Sequence, residues 1–161
     1  MLVNKPTLNL TKHLKDNMKT DKAIEVMKSK YPKAGRWVFG DSAAMHDELA
    51  ELVAKGIKTA TTCPFYAYHS DESEDGKITV GNPYIVFDSR EHPVCVARVT
   101  AMYLMRFSEM TEELAWKEGE GDRSLLHWQL EHQRFFEKIG DFSPDMEIVV
   151  IEFKVIENFS S

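Results

Sequence analysis

The sequence predicts an α+β domain built on a mostly antiparallel β-barrel of about five or six strands, with helices at its mouth and side. Three observations indicate this class. Helical periodicity is clear up to about residue 55, strand periodicity replaces it from 58 to about 104, and helices return before a last strand. Because the strands follow one another without alternating helices, we do not expect a parallel sheet.

Length and composition are those of one globular domain. The chain has 161 residues, of which 43% are hydrophobic and 29% charged. We therefore expect a single domain over residues 1–161, with an additional N-terminal helical segment at about 1–36. No stretch approaches the roughly 20 apolar residues that span a bilayer, and the N-terminus lacks a signal-peptide core, so we expect a cytoplasmic protein without membrane contact. The oligomeric state, monomer or homodimer, stays open.

Two helices are predicted in the first third of the chain. Apolar residues recur at helical spacing over residues 16–31 and again from about 42 to 55. Ser42 or Asp41 can cap the second helix, and Gly56 can end it as a left-handed residue.

Strands are predicted at 59–68, 83–88, 93–107 and 147–156, and the polar residues 71–76 between the first two predict a turn. The strand at 93–107 is long enough to bend across a barrel. Alternation places Cys95, Ala97, Val99, Ala101 and Tyr103 on one face of this strand, and Val149, Ile151, Phe153 and Val155 on one face of the last.

The second half also contains two predicted helices, at 111–119 with a Thr cap and at 123–140. Helical spacing places Leu125, Trp128, His132, Phe135 and Ile139 on one apolar face of the longer helix. Aromatic residues in such a stripe are typical of a core, although an indole at a barrel mouth could stack a base.

Lys58 and Thr61 follow the Gly56 turn at the start of the first predicted strand. Positions three apart face opposite sides of a strand, so a shared site needs a bend between them. Two interpretations are open. Lys58 is either a solvated lysine beside a strand-forming threonine, or an amine poised by desolvation next to a hydroxyl nucleophile.

Glu118, Glu120 and Asp122 alternate with two glycines in the stretch EGEGD. Three carboxylates so close repel one another and need solvent, cations or hydrogen-bond donors. Asp122 or Ser124 can cap the following helix. The glycines let the backbone approach a neighbour closely, and a carboxylate here could be a general base or hold a divalent cation.

Three further side chains bear on a site. His127 and His132 lie about 140° apart on one helix, so they cannot share a metal ion, and we expect no protein metal site from them. Arg123 begins the same helix, where the dipole disfavours a cation. A surface role is the default for Arg123, while a phosphate or substrate carbonyl contact would explain its placement.

The formal net charge of −6 excludes a general nucleic-acid coat protein, because nonspecific affinity comes from basic surfaces that displace counterions at phosphates. A nucleic-acid partner would have to be recognised through a local patch, a few bases or a single nucleotide. We expect no DNA-specific binding.

The strings FGDSAAMHDELAELVAKGIKTATT and EGEGDRSLLHWQLEHQRFF resemble the ASCH superfamily, in particular its longer bacterial branch. The likeness runs from about Trp37 to Phe153 and leaves out the helix at 17–31. It implies a PUA-like β-barrel that recognises RNA or a nucleoside.

The resemblance also implies two alternative hydrolytic activities. Small relatives hydrolyse N4-acetylcytidine with a Lys, a Thr and a Glu, which match Lys58, Thr61 and Glu118, with Glu120 the competing acid. In that scheme Thr61 attacks the acetyl carbonyl, a deprotonated Lys58 takes its proton, and Glu118 relays a proton to the leaving amine.

Longer relatives are linked to metal-dependent cleavage of single-stranded RNA, in which Lys58 and Ser124 would act together with Mg²⁺ or Mn²⁺. We expect Arg123, Ser124, Glu120 and Trp128 to contact the substrate. A non-catalytic regulatory adaptor is a further alternative, so whether the protein is an enzyme is left open by the sequence.

Overall fold

A five-stranded sheet, curled into a half-barrel, lies at the centre of the computed structural model, which describes residues 20–70, 77–140 and 142–159. The strands are β1 (Gly35–Trp37), β2 (Ala60–Pro64), β3 (Pro83–Phe87), β4 (Pro93–Arg106) and β5 (Glu147–Asn158). Their order is β1-β3-β4-β5-β2; β1 runs parallel to β3, and all other pairs are antiparallel. The predicted α+β class and mostly antiparallel barrel of about five or six strands with flanking helices are confirmed, with five strands that curl into a half-barrel.

Helices cover the sheet. They are α1 (20–30), α2 (Ala43–Ala54), α3 (Phe65–His69), α4 (Glu112–Glu118) and α5 (Leu125–Lys138), and a 3₁₀ turn spans Phe107–Glu109. Of the alternative caps, Ser42 accepts a hydrogen bond from the Met45 amide, and Ser124 accepts one from the His127 amide. Asp122 instead accepts from the Ser124 amide, so it supports the cap without being it. None of the helices in the described ranges is long and apolar enough to cross a membrane.

The predicted strand at 59–68 is wrong in its second half. Strand β2 ends at Pro64, and α3 follows directly. Proline has no N–H for the strand ladder, and its φ of −60° suits the residue before a helix. The predicted turn at 71–76, residues 16–19 of the first predicted helix and the rest of the N-terminal segment before them lie outside the described residues. Strand β1, only three residues long, was not predicted.

The sheet packs against apolar side chains on both faces. One face packs against α2 through residues such as Leu49, Val53 and Phe153, and the other packs against α5 through Trp128 and Phe136. The expected alternation in β4 holds up to Val99, which is 1% exposed. A register shift between Val99 and Ala101 then breaks it, and Tyr103 is 40% exposed.

The apolar face of α5 was predicted partly wrongly. Phe136 is buried, whereas Phe135 and Ile139 are 39% and 46% exposed. The helix therefore meets the sheet along a stripe through Trp128, His132 and Phe136, which is rotated from the one expected.

Candidate functional site

Lys58 is a buried lysine, 2% exposed, and it lies just before β2. Its ammonium donates to the Ala60 carbonyl at 2.9 Å, to Glu118 Oε2 at 3.1 Å and to Glu120 Oε2 at 3.0 Å. The Glu118 carbonyl lies at 3.3 Å. The interpretation of Lys58 as a solvated surface lysine is therefore wrong.

The backbone around Lys58 is fixed from two sides. The amides of Ile57 and Lys58 both donate to the Leu52 carbonyl, which ties this segment to the end of α2. The Thr59 amide donates to the Lys117 carbonyl at 2.7 Å, and the Thr59 carbonyl accepts from the Phe153 amide at 3.0 Å. The lysine is thus held where α2, α4 and β5 meet.

The EGEGD loop passes close to this segment because two of its residues have no side chain. Gly119 ends α4 with φ +74°, and a Cβ built on it would lie 2.5 Å from the Ile57 carbonyl oxygen. A Cβ on Gly121 would collide with the His127 ring. The close backbone approach predicted from the two glycines is confirmed, and it brings Glu118 and Glu120 to Lys58.

Glu118 is the second buried charge, 1% exposed. Its Oε1 accepts hydrogen bonds from the Thr62 hydroxyl and, at 3.1 Å, from the Trp128 indole N–H. His132 Nε2 lies 3.9 Å from the same oxygen. The carboxylate is therefore fully surrounded by donors, as a buried charge must be.

The protonation states follow from these contacts. Burial by itself lowers the pKa of Lys58, but Glu118 and Glu120 outweigh it and hold the pKa above its ordinary value. Burial raises the pKa of Glu118, but Lys58 and the hydrogen-bond donors outweigh it and hold the pKa below its ordinary value. Lys58 is thus an ammonium ion beside carboxylates, and the expected deprotonated Lys58 is wrong.

A cavity of about 230 Å³ opens beside this ion pair. Lys58, Thr61, Glu118, Glu120, Ser124 and Trp128, all predicted from the sequence, line it. Its deep end is formed by buried residues such as Phe39 and Phe136, and its mouth by exposed ones such as Asp41, Glu131 and Phe135. The structure thus gathers six of the seven predicted site residues around one space.

Arg123, the seventh, is not among the residues that line the cavity. Its guanidinium donates to the Trp116 carbonyl at 3.0 Å and to the Ile57 carbonyl at 3.2 Å, and it stacks 3.9 Å from the Trp116 ring centre. Arg123 therefore fastens the EGEGD loop to the segment that carries Lys58. This is a positioning role, and it accounts for a cation at the start of α5.

Trp128 is a core residue, 3% exposed. Its ring lies between His132, stacked at 4.2 Å, and Phe107 at 5.0 Å, and its N–H is bound to Glu118. The core interpretation is confirmed, and the indole has no free face for a base. Phe135, at the mouth, is the more accessible aromatic side chain.

Thr62 is the site residue that sequence reasoning missed. Its hydroxyl donates a hydrogen bond to Glu118, whereas the sequence suggested no role for Thr62. Thr61 and Thr62 are neighbours in strand β2, and both line the cavity. The run of threonines in TATT was the available signal.

The acids of the site do not fit a divalent cation. Glu118 and Glu120 both bind the Lys58 ammonium, so a cation there would displace a buried lysine from its partners. In the ranges that the structure describes, no three His, Cys, Asp or Glu side chains are grouped so that they could hold a metal ion. Glu118 and Glu120 are thus engaged by Lys58 and do not form a ready-made site for a divalent cation.

Comparison with known proteins identifies the family of the chain. A family model described as ASCH domain matches residues 35–157, more than half of the chain. No curated protein matches the sequence significantly.

Two crystal structures of other proteins are similar to the fold of this chain. An ASCH domain from Lactobacillus crispatus JV V101 is 26% identical, with a TM-score of 0.71 over 88% of this chain and 91% of that one. A protein from Enterococcus faecalis V583 is 31% identical, with a TM-score of 0.67 over 80% of this chain and 83% of the other. With its half-barrel and the matched span, the chain belongs to the ASCH domain family.

Proposed function

We propose that the cavity binds a nucleobase, presented by a nucleoside or by single-stranded RNA. At about 230 Å³ the cavity is smaller than the 300–1,000 Å³ typical of drug-sized ligands, so a small planar ligand suits it. Phe39 and Phe135 supply aromatic surface, and Thr61 and Glu120 supply polar atoms. Aromatic surface with a few hydrogen-bonding groups is the usual means of reading an unstacked base.

Glu120 carries this proposal. Its Oε2 is held by Lys58 at 3.0 Å, while the side chain is still 28% exposed. The carboxylate is therefore fixed in position and can accept an N–H from the edge of a base. Glu118, by contrast, has both oxygens engaged by the protein.

A titration tests the proposal. The four ribonucleosides, N4-acetylcytidine and a short single-stranded RNA are titrated into the protein at about 0.05 M and about 0.2 M salt. We expect saturable binding of at least one of them with a shallow salt dependence, weakened at least about tenfold in Glu120→Gln. Glu48→Gln, which removes an equal charge from an exposed residue that does not line the cavity, is the control. Absence of binding by all of them contradicts the proposal.

Amide hydrolysis is a second candidate, because Thr61 lines the same cavity as Lys58, Glu118 and Glu120. With Lys58 protonated, Glu120 is the better acceptor for the Thr61 proton, and the ammonium offsets the negative charge of the tetrahedral intermediate. Thr61 Oγ1 bonds to the acetyl carbon, the C–N bond breaks, and the proton passes to the leaving amine. Water then hydrolyses the acetyl ester and releases acetate.

Acetate release from N4-acetylcytidine tests this reaction. We expect Thr61→Val and Glu120→Gln each to lower the rate at least about a hundredfold. Thr59→Val is the matched control, because the Thr59 hydroxyl donates to the Lys117 carbonyl and Thr59 does not line the cavity. Release that survives in Thr61→Val contradicts the assignment of the nucleophile.

A further inference from the structure

We infer that the cavity is charge-selective, taking an uncharged or cationic nucleoside and rejecting one that carries a phosphate. This inference rests on the proposed function and names its ligand class more narrowly. It follows from which charges line the cavity and from what each is bound to.

Carboxylates outnumber lysine and arginine side chains in the lining. The acids are Asp41, Glu118, Glu120 and Glu131, against Lys58 and Arg134, and two histidines, His127 and His132, also line the cavity. Fixed negative charge in a partly enclosed space raises the local concentration of cations and lowers that of anions. A phosphate monoester, with a charge of about −1.5 to −2, would meet this excess directly.

The bases near the cavity already have carboxylate partners. Lys58 is shared by Glu118 and Glu120. At the mouth, Arg134 pairs with Glu131 at 2.7 Å, and Lys138 pairs with Asp41 at 3.4 Å. A phosphate that approached any of these cations would therefore also meet the negative charge of its carboxylate partner.

The N-terminus of α5 also reaches the cavity through Ser124, and helix N-termini commonly bind phosphate. At this helix end, acceptors of the protein already bind two of the backbone N–H groups. The Ser124 hydroxyl accepts from the His127 amide at 3.0 Å, and the Asp122 carboxylate accepts from the Ser124 amide at 2.9 Å. An anion arriving at this helix end would therefore meet the Asp122 charge as well.

Charge selection restricts where the ligand comes from. A nucleoside without phosphate arises when RNA or a nucleotide has been broken down and a phosphatase or nucleotidase step has hydrolysed the phosphate ester. The protein would then act after such a step, on the free nucleoside. An RNA strand carries phosphates on both sides of every base and would be a poorer ligand.

Matched pairs of ligands test the inference. Each ribonucleoside and its 5′-monophosphate, together with the cationic N7-methylguanosine, are titrated by calorimetry. We expect each bound nucleoside to exceed its monophosphate in affinity by at least about tenfold, with the ratio shrinking as salt rises. We expect N7-methylguanosine to bind at least as tightly as guanosine.

Two variants identify the source of the selection. Glu131→Gln frees Arg134 and should lower the nucleoside-to-monophosphate ratio several-fold, whereas Glu48→Gln should leave the ratio as it is. Monophosphates that bind as tightly as nucleosides, or an unchanged ratio in Glu131→Gln, overturn the inference and leave the proposed function standing. If no nucleoside, monophosphate or RNA binds at all, both are overturned.

Discussion

The Lys58 ammonium and the Glu118 carboxylate form an ion pair at 3.1 Å in which neither side chain is more than 2% exposed. Such a pair is costly to desolvate and is held only because every lone pair and proton finds a partner. Glu120, Thr62 and Trp128 complete that set. The pair therefore forms a fixed part of the cavity wall, and Glu120 is the accessible carboxylate beside it.

Breaking the pair should cost far more than breaking a surface pair. We expect Lys58→Met to lower the free energy of unfolding by about 3–5 kcal/mol, because it leaves two carboxylates without their cation. Lys55→Met is the control, since Lys55 pairs with Glu51 on the surface and should cost about 0.2–1 kcal/mol. Urea unfolding of both variants measures the difference, and equal losses would contradict the role of burial.

The pair should also shape stability at both ends of the pH scale. The pKa of Glu118 is lowered by folding, so its contribution is present above the ordinary value of 4.5 and is lost as pH falls through the folded-state pKa. The pKa of Lys58 is raised, so its contribution is present below 10.5 and is lost as pH rises through the folded-state pKa.

Glu118→Gln checks the acid side of this dependence. Compared with the wild type in urea unfolding from pH 7 down to 3, the variant should show a smaller loss of stability below 4.5, because it has no charge at that position to titrate. Parallel curves across this range would show that Glu118 does not contribute.

Substitutions at Gly119 and Gly56 distinguish the effect of close packing on stability from the effect of backbone conformation. Both have positive φ, +74° and +71°, but only Gly119 faces a neighbour, the Ile57 carbonyl. We expect Gly56→Ala to lose about 1–2 kcal/mol from the left-handed conformation alone. Gly119→Ala should lose about 1–3 kcal/mol more from the steric conflict, as measured by chemical denaturation. A similar loss in the two variants would contradict the tight approach of the loop.

The two neighbouring threonines should behave differently. Thr62→Val removes a donor from the buried Glu118 carboxylate and should cost about 1–3 kcal/mol of stability. Thr61→Val should change stability by no more than about 0.5 kcal/mol, because Thr61 faces the cavity. Thermal unfolding of the two variants, compared at matched protein concentration, measures the difference. A larger loss of stability in Thr61→Val than in Thr62→Val would contradict the roles given to the two threonines.

The parts of the fold that could be predicted are those with local signals. Helix α2 has a capping Ser42 and an ending Gly56, and strand β5 alternates over many residues. Prediction fails where one residue that interrupts a strand outweighs the composition around it. Phe65 and the tyrosines near it favour strands by composition, yet Pro64 ends the ladder and a helix follows.

Six of the seven residues that the sequence suggested line one cavity, but their contacts could not be predicted. Lys58, Thr61 and Glu118 could be named from the family resemblance, but the charge state of Lys58 depends on two carboxylates about sixty residues later in the chain. Spacing carries no information on such a contact. The structural role of Arg123 likewise depends on the Ile57 carbonyl, which no sequence pattern marks.

The contact of Lys58 with Glu118 has a kinetic consequence. The two residues are 60 positions apart, and the loop between them must close before their charges can leave water together. We expect the pair to form after the main folding barrier, so that Lys58→Met mainly accelerates unfolding and changes the refolding rate little. The buried ion pair would then slow unfolding and so set the lifetime of the native state once it has formed.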